Sequence, residues 1–415
     1  MNILRLNAYF DPEITAASHL MDDLYEGFSK NHIKCKIITP EPTRGISKEV
    51  RMQYKAKKKE KLYDNYIEVE RFPMINEGSN PVQRALRYVL CSAFHYFKGI
   101  HEKDIDVIFS GSTPPTNGVI SALVAKKLSK RYKRKVKFVY ELQDIFPDSL
   151  VNAKLTNEGS FIWKIGRKIE QYTYDHADKI VVPTDSMKNN IMRKGVNVDK
   201  IEVISNWIDT EQIKPIKREN NILVNEFNIN PSKFIVVYAG NFGIAQGADI
   251  VLKVAESLLA YKDIQFVIFG GGAYYEDARE FVEGKKLENV IINGLLPQER
   301  VPEVYSLGNV ALITCKAGTG NAGMPSKTWS IMACNTPIIA SFDINSELEY
   351  VLKKSESGKC VEPENIDKLR NAILDYYSNW KNCEKKSSFP RIYVEKYASK
   401  NVCVLKYIHV LTTIV

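Results

Sequence analysis

The chain holds 415 residues, 44% hydrophobic and 26% charged, a globular composition and more chain than one hydrophobic core normally supports, so two domains of roughly 200 residues each are expected. No run approaches the ~20 apolar residues that cross a bilayer, the opening MNILRLNAYFDPE lacks the longer apolar stretch of a secretory signal, and seven scattered cysteines show no paired spacing for zinc or redox chemistry; these features argue against a spanning, secreted or zinc-stapled protein and point to the cytoplasm. Charge divides unevenly, with 34 Lys and Arg against 25 Asp and Glu in residues 1–206, a net +9, and 24 of each in residues 207–415, so the first half is expected to meet an anionic partner, above all an acidic membrane surface.

Short apolar, β-rich runs alternate with helical patterns from end to end. In order they are NILRLNAY, CKIIT, YIEVERF, DVIFSG, VKFVYEL, KIVVPT and IEVIS, then FIVVYAG, IQFVIFGG, NVIINGL, VALITC, TPIIAS and GKCVEP. Strands that alternate with helices build parallel sheets with crossover helices. The pattern runs once to about Asn206 and restarts near Phe234, which predicts an α/β chain of two doubly wound domains, 1–206 and 207–385, with a closing helical tail over 386–415.

Within the first half, residues 81–101 place Val82, Leu86, Val89, Leu90, Ala93, Phe94 and Phe97 on one helical face and Arg84, Arg87, Lys98 and His101 on another. A helix packed by its apolar face on the sheet is one reading. A membrane-surface helix is the other, supported by the basic runs KAKKKEK at 55–61 and KKLSKRYKRKVK at 126–137. No recognised nucleic-acid module presents these charges, so nucleic acid is not an expected partner. Asp104-Ile105-Asp106 has the look of a metal-binding acid pair, but it precedes a strand and so falls at the unproductive end of a parallel sheet. A solvated strand start is expected there, and no metal site.

Ligands of doubly wound sheets bind beyond the carboxyl ends of the strands. In the second half four loops stand at such ends: Ala239-Gly240-Asn241-Phe242-Gly243, Gly270-Gly271-Gly272, Asn293-Gly294-Leu295-Leu296-Pro297, and Lys316 to Lys327. The last is the most informative, because small residues let backbone amides approach a ligand and the loop ends in Ser326-Lys327 at the start of a helix. A cation in a helix's first turn works against the dipole unless an anion lies nearby, so this loop reads as a phosphate site.

Taken together, AGNFG, FGGG, NGLLP and GMPSKTWSIMACNTPIIAS resemble the nucleotide-sugar half of glycosyltransferase family 4, and the amino half agrees through Asp11-Pro12-Glu13 and the acidic segment Glu141 to Asp148. The resemblance covers nearly the whole chain and is nearest to the WbuB-like branch that builds O-antigen or capsule units. It implies the GT-B fold, two Rossmann-like domains facing across a cleft with the C-terminal helix packing back on the first. It also implies a retaining transfer from a UDP-sugar, N-acetyl-L-fucosamine being one associated case, to a polyprenyl-diphosphate-linked saccharide, with no metal or other cofactor. On that resemblance the donor is bound by Gly240, Asn241, Gly243, Gln246, Gly271, Gly272, Gly294, Leu295, Gly318, Asn321, Gly323, Met324, Ser326, Lys327 and Ser330, the acceptor side carries Glu13, Thr15 and Ser18, and Asp144 with Glu141 are the catalytic candidates, Asp148 competing. The implied location is the inner face of the cytoplasmic membrane, held peripherally.

This chain departs from the family pattern in two ways. The two glutamates that usually precede the AMACGKP-type helix fall at Ala322 and Ser330, and the basic pair that usually grips the diphosphate falls at Asn241 and Gln246. Lys327 is then the one basic residue of the donor loops at a helix start, and it is expected to replace the missing cations. Two rival readings share the architecture: a UDP-sugar 2-epimerase, and a non-catalytic nucleotide-sugar-binding subunit.

Overall fold

The computed structural model describes residues 1–13, 15, 18–77, 80–152, 155–320, 323–380 and 389–415. They form two compact units, Met1–Asn206 joined by Cys403–Val415, and Trp207–Val402.

In the first unit, strands β1 (Asn2–Leu6), β2 (Lys34–Pro40), β3 (Lys59–Leu62), β4 (Ile67–Phe72), β5 (Val107–Gly111), β6 (Lys137–Glu141), β7 (Lys179–Val182) and β8 (Ile201–Val203) form one sheet in the order β3-β4-β2-β1-β5-β6-β7-β8. All neighbours pair parallel except β3, which runs antiparallel to β4. Helices α1 (Ser18–Lys30), α2 (Lys48–Ala56), α3 (Pro81–Gly99), α4 (Asn117–Tyr132), α5 (Asp148–Asn152), α6 (Phe161–His176) and α7 (Asp185–Arg193) connect them. Helices on both faces leave Leu4, Leu6, Ile38, Ile108, Phe138 and Ile180 buried, which is why these strands read as near-continuous apolar runs. Every apolar run read as a strand is one. The additional strand, β3, comes from the basic run at 55–61, where Lys57 pairs with Glu60 and Lys59 reaches Glu70 at 3.9 Å. A charged edge strand of this kind resists pairing with another chain.

Helix α3 corrects the packed-helix expectation, because it is turned over. Arg87, Cys91, His95 and Gly99 form its buried row, while Val82, Leu86, Val89, Ala93 and Phe97 are exposed. The inward arginine is held at the carboxyl ends of β1 and β2: its Nε donates to Thr43 Oγ1 at 3.2 Å, its Nη2 donates to Ala8 O at 3.1 Å, its Nη1 lies 3.8 Å from Glu77 Oε2, and its guanidinium lies 4.6 Å from the Tyr9 ring centroid. Burial pushes His95 down to about 4, so that ring is neutral beside Asn7 O at 3.2 Å.

The second unit holds β9 (Phe234–Asn241), β10 (Ile264–Gly271), β11 (Val290–Gly294), β12 (Val310–Thr314), β13 (Ile338–Ser341) and β14 (Gly358–Val361), all parallel, in the order β11-β10-β9-β12-β13-β14. Its helices are α8 (Leu223–Glu226), α9 (Asp249–Ser257), α10 (Tyr275–Gly284), α11 (Val301–Ser306), α12 (Lys327–Ala333), α13 (Glu347–Lys354), α14 (Ile366–Trp380), α15 (Phe389–Tyr397) and the start of α16 (Lys400–Thr413). The tail read as 386–415 therefore divides. Its earlier described part belongs to the second unit, and from Cys403 onward α16 belongs to the first. There a Cβ at Gly27 would overlap the Val404 side chain, and Tyr407 Oη donates to Glu141 Oε1 at 3.4 Å.

Candidate functional site

The four glycine-bearing loops of the second unit follow β9, β10, β11 and β12, neighbours in one sheet, and their contacts tie them together at its carboxyl edge. Phe242 N donates to Gly271 O at 2.6 Å. A Cβ at Gly272 would overlap Asn241 Oδ1, and one at Gly271 would meet Leu295 Cδ1 at 2.8 Å. Lys316 N donates to Ala245 O at 2.9 Å and Thr314 Oγ1 to Gln246 O at 2.7 Å. Gly243 lies between the Gln246 and Asn241 side-chain amides, which a Cβ there would meet at 2.5 and 2.9 Å. Two uncharged amides thus close over the turn where the family pattern has cations. Gly294 is exposed, paired with Gly270 at the end of β11, and a Cβ there would meet nothing within 4 Å.

Lys327 reaches back from α12 onto the end of β9. Its Nζ donates to Ala239 O at 2.9 Å and stands 4.7 Å from the centroid of the Tyr238 ring. Gly240 makes that approach possible, since φ there is +155° and a Cβ would meet Nζ at 2.6 Å. Among the described residues no carboxylate lies within ion-pair distance of this ammonium, and burial pushes it down to about 8. A part-buried cation whose partners are one carbonyl and an aromatic face lacks the countercharge that normally accompanies withdrawal from water. Ser330 follows one turn later on the same helix, partly buried.

Two parts of the phosphate-loop expectation change. Helix α12 has seven residues and its N-cap Ser326 makes no side-chain capping bond, so the attraction for an anion rests on the Lys327 charge more than on a dipole. The amides of Gly318 and Gly320 are already engaged: they donate to Asp343 Oδ1 at 2.9 Å and Oδ2 at 2.7 Å, and Ala317 N donates to Glu364 Oε2 at 3.2 Å. Asp343, at the end of β13, thereby holds the loop in shape from below. Gly318 and Gly323 both have positive φ, +82° and +155°. Met324 packs against the unit's core. Asn321 and Ala322 lie outside the described residues.

An apolar cavity of about 500 Å³ opens beside the same β9 loop, between α9 and α10, walled by Phe242, Ile244, Leu252, Tyr274 and Phe281. Lys327, Gly240 and Ser330 do not line it, so it is distinct from the cation's surroundings.

In the first unit the carboxylates take different parts. Glu141 is buried and fully engaged: its Oε2 meets Arg5 Nη2 at 3.0 Å, and its Oε1 accepts from Gln143 Nε2 at 3.2 Å and from Tyr407 Oη. This corrects its standing as a catalytic candidate, since no oxygen is left to face a substrate and its partners serve the sheet and the last helix. Asp148 accepts from Lys194 Nζ at 2.7 Å and Asn190 Nδ2 at 3.1 Å, a tie between helices. Asp144 stands at the carboxyl end of β6 and is exposed; the chain packed behind it raises its carboxyl, against hydrogen bonds from Ser149 and the Ile145 amide. Glu13 is buried with Oε1 accepting from the Thr43 and Arg44 amides, each at 2.7 Å. Thr15 N donates to Ser18 Oγ at 2.8 Å at the head of α1. Glu13 and the Thr15–Ser18 pair thus shape the loop after β1.

Sequence reasoning missed Tyr238, Ala239 O and Asp343. Tyr238 reads as one more apolar residue of β9, and Asp343 as a turn acid after β13.

Comparison with known proteins adds to this geometry. Residues 17–212 match the profile described as Glycosyltransferase Family 4, and residues 220–389 the profile described as Glycosyl transferases group 1. The chain is similar to the probable glycosyltransferase WbjE of Pseudomonas aeruginosa, 26% identical over 61% of each chain. It is also similar to the putative colanic acid biosynthesis glycosyl transferase WcaI of Escherichia coli K12, 23% identical over 65% of this chain and 66% of that one. The match thus spans about three fifths of the first relative and just under two thirds of the second. Among solved structures, Anabaena HepE in complex with UDP shares the fold over all of both chains, at a TM-score of 0.71 and 14% identity.

Proposed function

The chain belongs to glycosyltransferase family 4, matched in turn by amino-half and carboxyl-half profiles, and from that premise we propose that it moves a sugar from a UDP-sugar to a polyprenyl-diphosphate-linked saccharide. The reaction belongs to cell-surface polysaccharide synthesis, at the inner face of an anionic cytoplasmic membrane. The observation that carries the donor half is Lys327, a part-buried ammonium without a carboxylate partner among the described residues, set among the loops of β9 to β12. A diphosphate supplies the missing countercharge. Complexes of HepE with UDP, and names such as that of WcaI, support the donor and pathway classes by similarity.

In this reading the anomeric carbon's bond to the diphosphate oxygen breaks as its bond to the acceptor oxygen forms on the same face. The acceptor's proton passes to a phosphate oxygen of the leaving group. Lys327 neutralises the charge that develops on that diphosphate, in a site where a fixed cation needs no reorganisation, so the transfer needs no metal. Asn241 and Gln246 add neutral N–H donors, Ser330 offers one hydroxyl toward the ribose, and Asp144 is the catalytic candidate of the amino half.

The test is incubation with UDP-sugars, UDP-N-acetyl-L-fucosamine first, with and without a lipid-linked acceptor, followed by mass spectrometry. A lipid-linked product of added sugar mass, made in the presence of a chelator, supports the proposal. Isomerised UDP-sugar without acceptor would establish an epimerase instead, and UDP binding with no product a non-catalytic subunit.

A further inference from the structure

Helix α3 places its polar row inside and its apolar row outside. Val82 is 75% exposed, Leu86 52%, Val89 64% and Phe97 62%, and they recur at helical spacing along one line of the surface. A water-facing row of this length on a folded domain has a covering partner. It is matched on α6, where Phe161 is 78% exposed and Ile162 and Ile165 are also open to solvent. Helices α3, α4 and α6 lie side by side in that order. Helices α3 and α6 follow β4 and β6, so their amino ends, with Val82, Leu86, Phe161 and Ile162, point to the carboxyl edge of one parallel sheet.

We propose that the α3 and α6 rows form a two-pronged docking surface for an anionic lipid bilayer. This rests on the transferase reading only for its purpose, which is to hold the chain where a lipid-linked acceptor lies. Charge selects the partner. Lys126, Lys127, Lys130 and Lys133, on α4 and at its end, and Lys164 and Lys168 on α6 are exposed, and among the described residues none of the six has a carboxylate within ion-pair distance. Lys164 and Lys168 flank the α6 insert, and the α4 lysines lie beyond Phe97, where Arg131 Nη1 donates to Ile100 O at 3.0 Å; cations set along an apolar row suit acyl chains beneath anionic headgroups. A second copy of this surface would set the same lysines against one another. The run at 55–61, in contrast, spends part of its charge on Glu60 and Glu70, so the docking cations are those of α4 and α6.

The experiment is flotation of the full chain with vesicles of phosphatidylglycerol and phosphatidylethanolamine, against vesicles of phosphatidylcholine alone. The chain is expected to float with the anionic vesicles and to remain partly bound at high salt. Leu86→Ser with Val89→Ser and Phe97→Ser should lower the partition coefficient at least about tenfold, and Phe161→Ser with Ile162→Ser should lower it independently, on the scale of transfer free energies for large apolar side chains. These side chains face solvent, so circular-dichroism melting should be unchanged. Equal partition of wild type and the triple variant, absence of binding to anionic vesicles, or a dimer in sedimentation that the same substitutions dissolve would each overturn the proposal. UDP binding, measured without vesicles, separates the outcomes: lost flotation with intact UDP binding removes the docking surface alone, and intact flotation without UDP binding removes the transferase reading alone.

Discussion

Replacing Lys327 with methionine should move donor affinity and fold stability in opposite directions. Methionine keeps the aliphatic bulk and loses the charge. In the wild type the ammonium is already fixed against Ala239 O at 2.9 Å and the Tyr238 ring at 4.7 Å, so little side-chain ordering remains when a phosphate arrives. A charge-assisted contact of about 1.5–3 kcal/mol corresponds, at roughly 1.4 kcal/mol per tenfold, to a loss of about ten- to a hundredfold in UDP affinity by titration calorimetry at neutral pH. Without donor the sign reverses. Burial lowers the ammonium from 10.5 to about 8, which disfavours the folded, charged form by on the order of 3 kcal/mol below pH 8. The unfolded chain holds that proton more tightly, so wild-type stability rises with pH between about 8 and 10.5. Methionine removes the penalty at every pH, less about 1 kcal/mol for the lost contacts to Ala239 O and Tyr238, so its Tm at pH 7 should equal or exceed the wild type and the alkaline rise should disappear. Wild-type UDP affinity should weaken as pH climbs past about 8, and Lys327→Arg, charged throughout, should not follow. An unchanged UDP affinity in the methionine variant, or a Tm several degrees lower, would refute the assignment.

Asp343→Ala releases the Gly318 and Gly320 amides and should weaken UDP binding in titration calorimetry by loosening the loop; equal affinity would show that the loop holds its shape without it. Glu141→Gln leaves Arg5 buried without its countercharge and should cost about 3–5 kcal/mol, read as a lower urea midpoint with UDP affinity retained, and an unmoved midpoint would contradict the ion pair's structural role. Asp144→Asn should lower kcat while leaving UDP affinity alone, and full turnover would remove Asp144 from the site.

Most strands were legible because a parallel strand covered on both faces must be largely apolar, as FIVVYAG, IQFVIFGG and VALITC are. Strand β3 was not, since an edge strand carries no such demand and its KEKL reads as surface. Periodicity divides α3 into two faces but does not say which turns inward. That is decided by Arg87, whose partners Ala8 O and Thr43 Oγ1 belong to distant loops. Lys327 stood out as a residue type in an uncomfortable place, yet Tyr238 and Asp343 lie 89 residues before it and 16 after it, and only the packing of β9, β12 and β13 brings them to its loop. Glu141 misled because a carboxylate at the productive end of a strand looks alike in sequence whether it faces a sugar or Arg5.

One physical argument accounts for the loss of four charged positions together. The family pattern supplies two cations where this chain has Asn241 and Gln246, and two carboxylates where it has Ala322 and Ser330, so the formal charge of the site is unchanged by the exchange. Opposite charges in one site stabilise one another, and removing one set alone would strand the other. Losing both leaves the Lys327 ammonium, with Ala239 O and the Tyr238 ring as its neighbours. Asp343, the acid nearest the loop in sequence after the helix, is not available to neutralise that ammonium, because both its oxygens accept from loop amides. On the proposed reading, attraction for a diphosphate is concentrated in a single side chain, held by Ala239 O and admitted by the missing Cβ of Gly240.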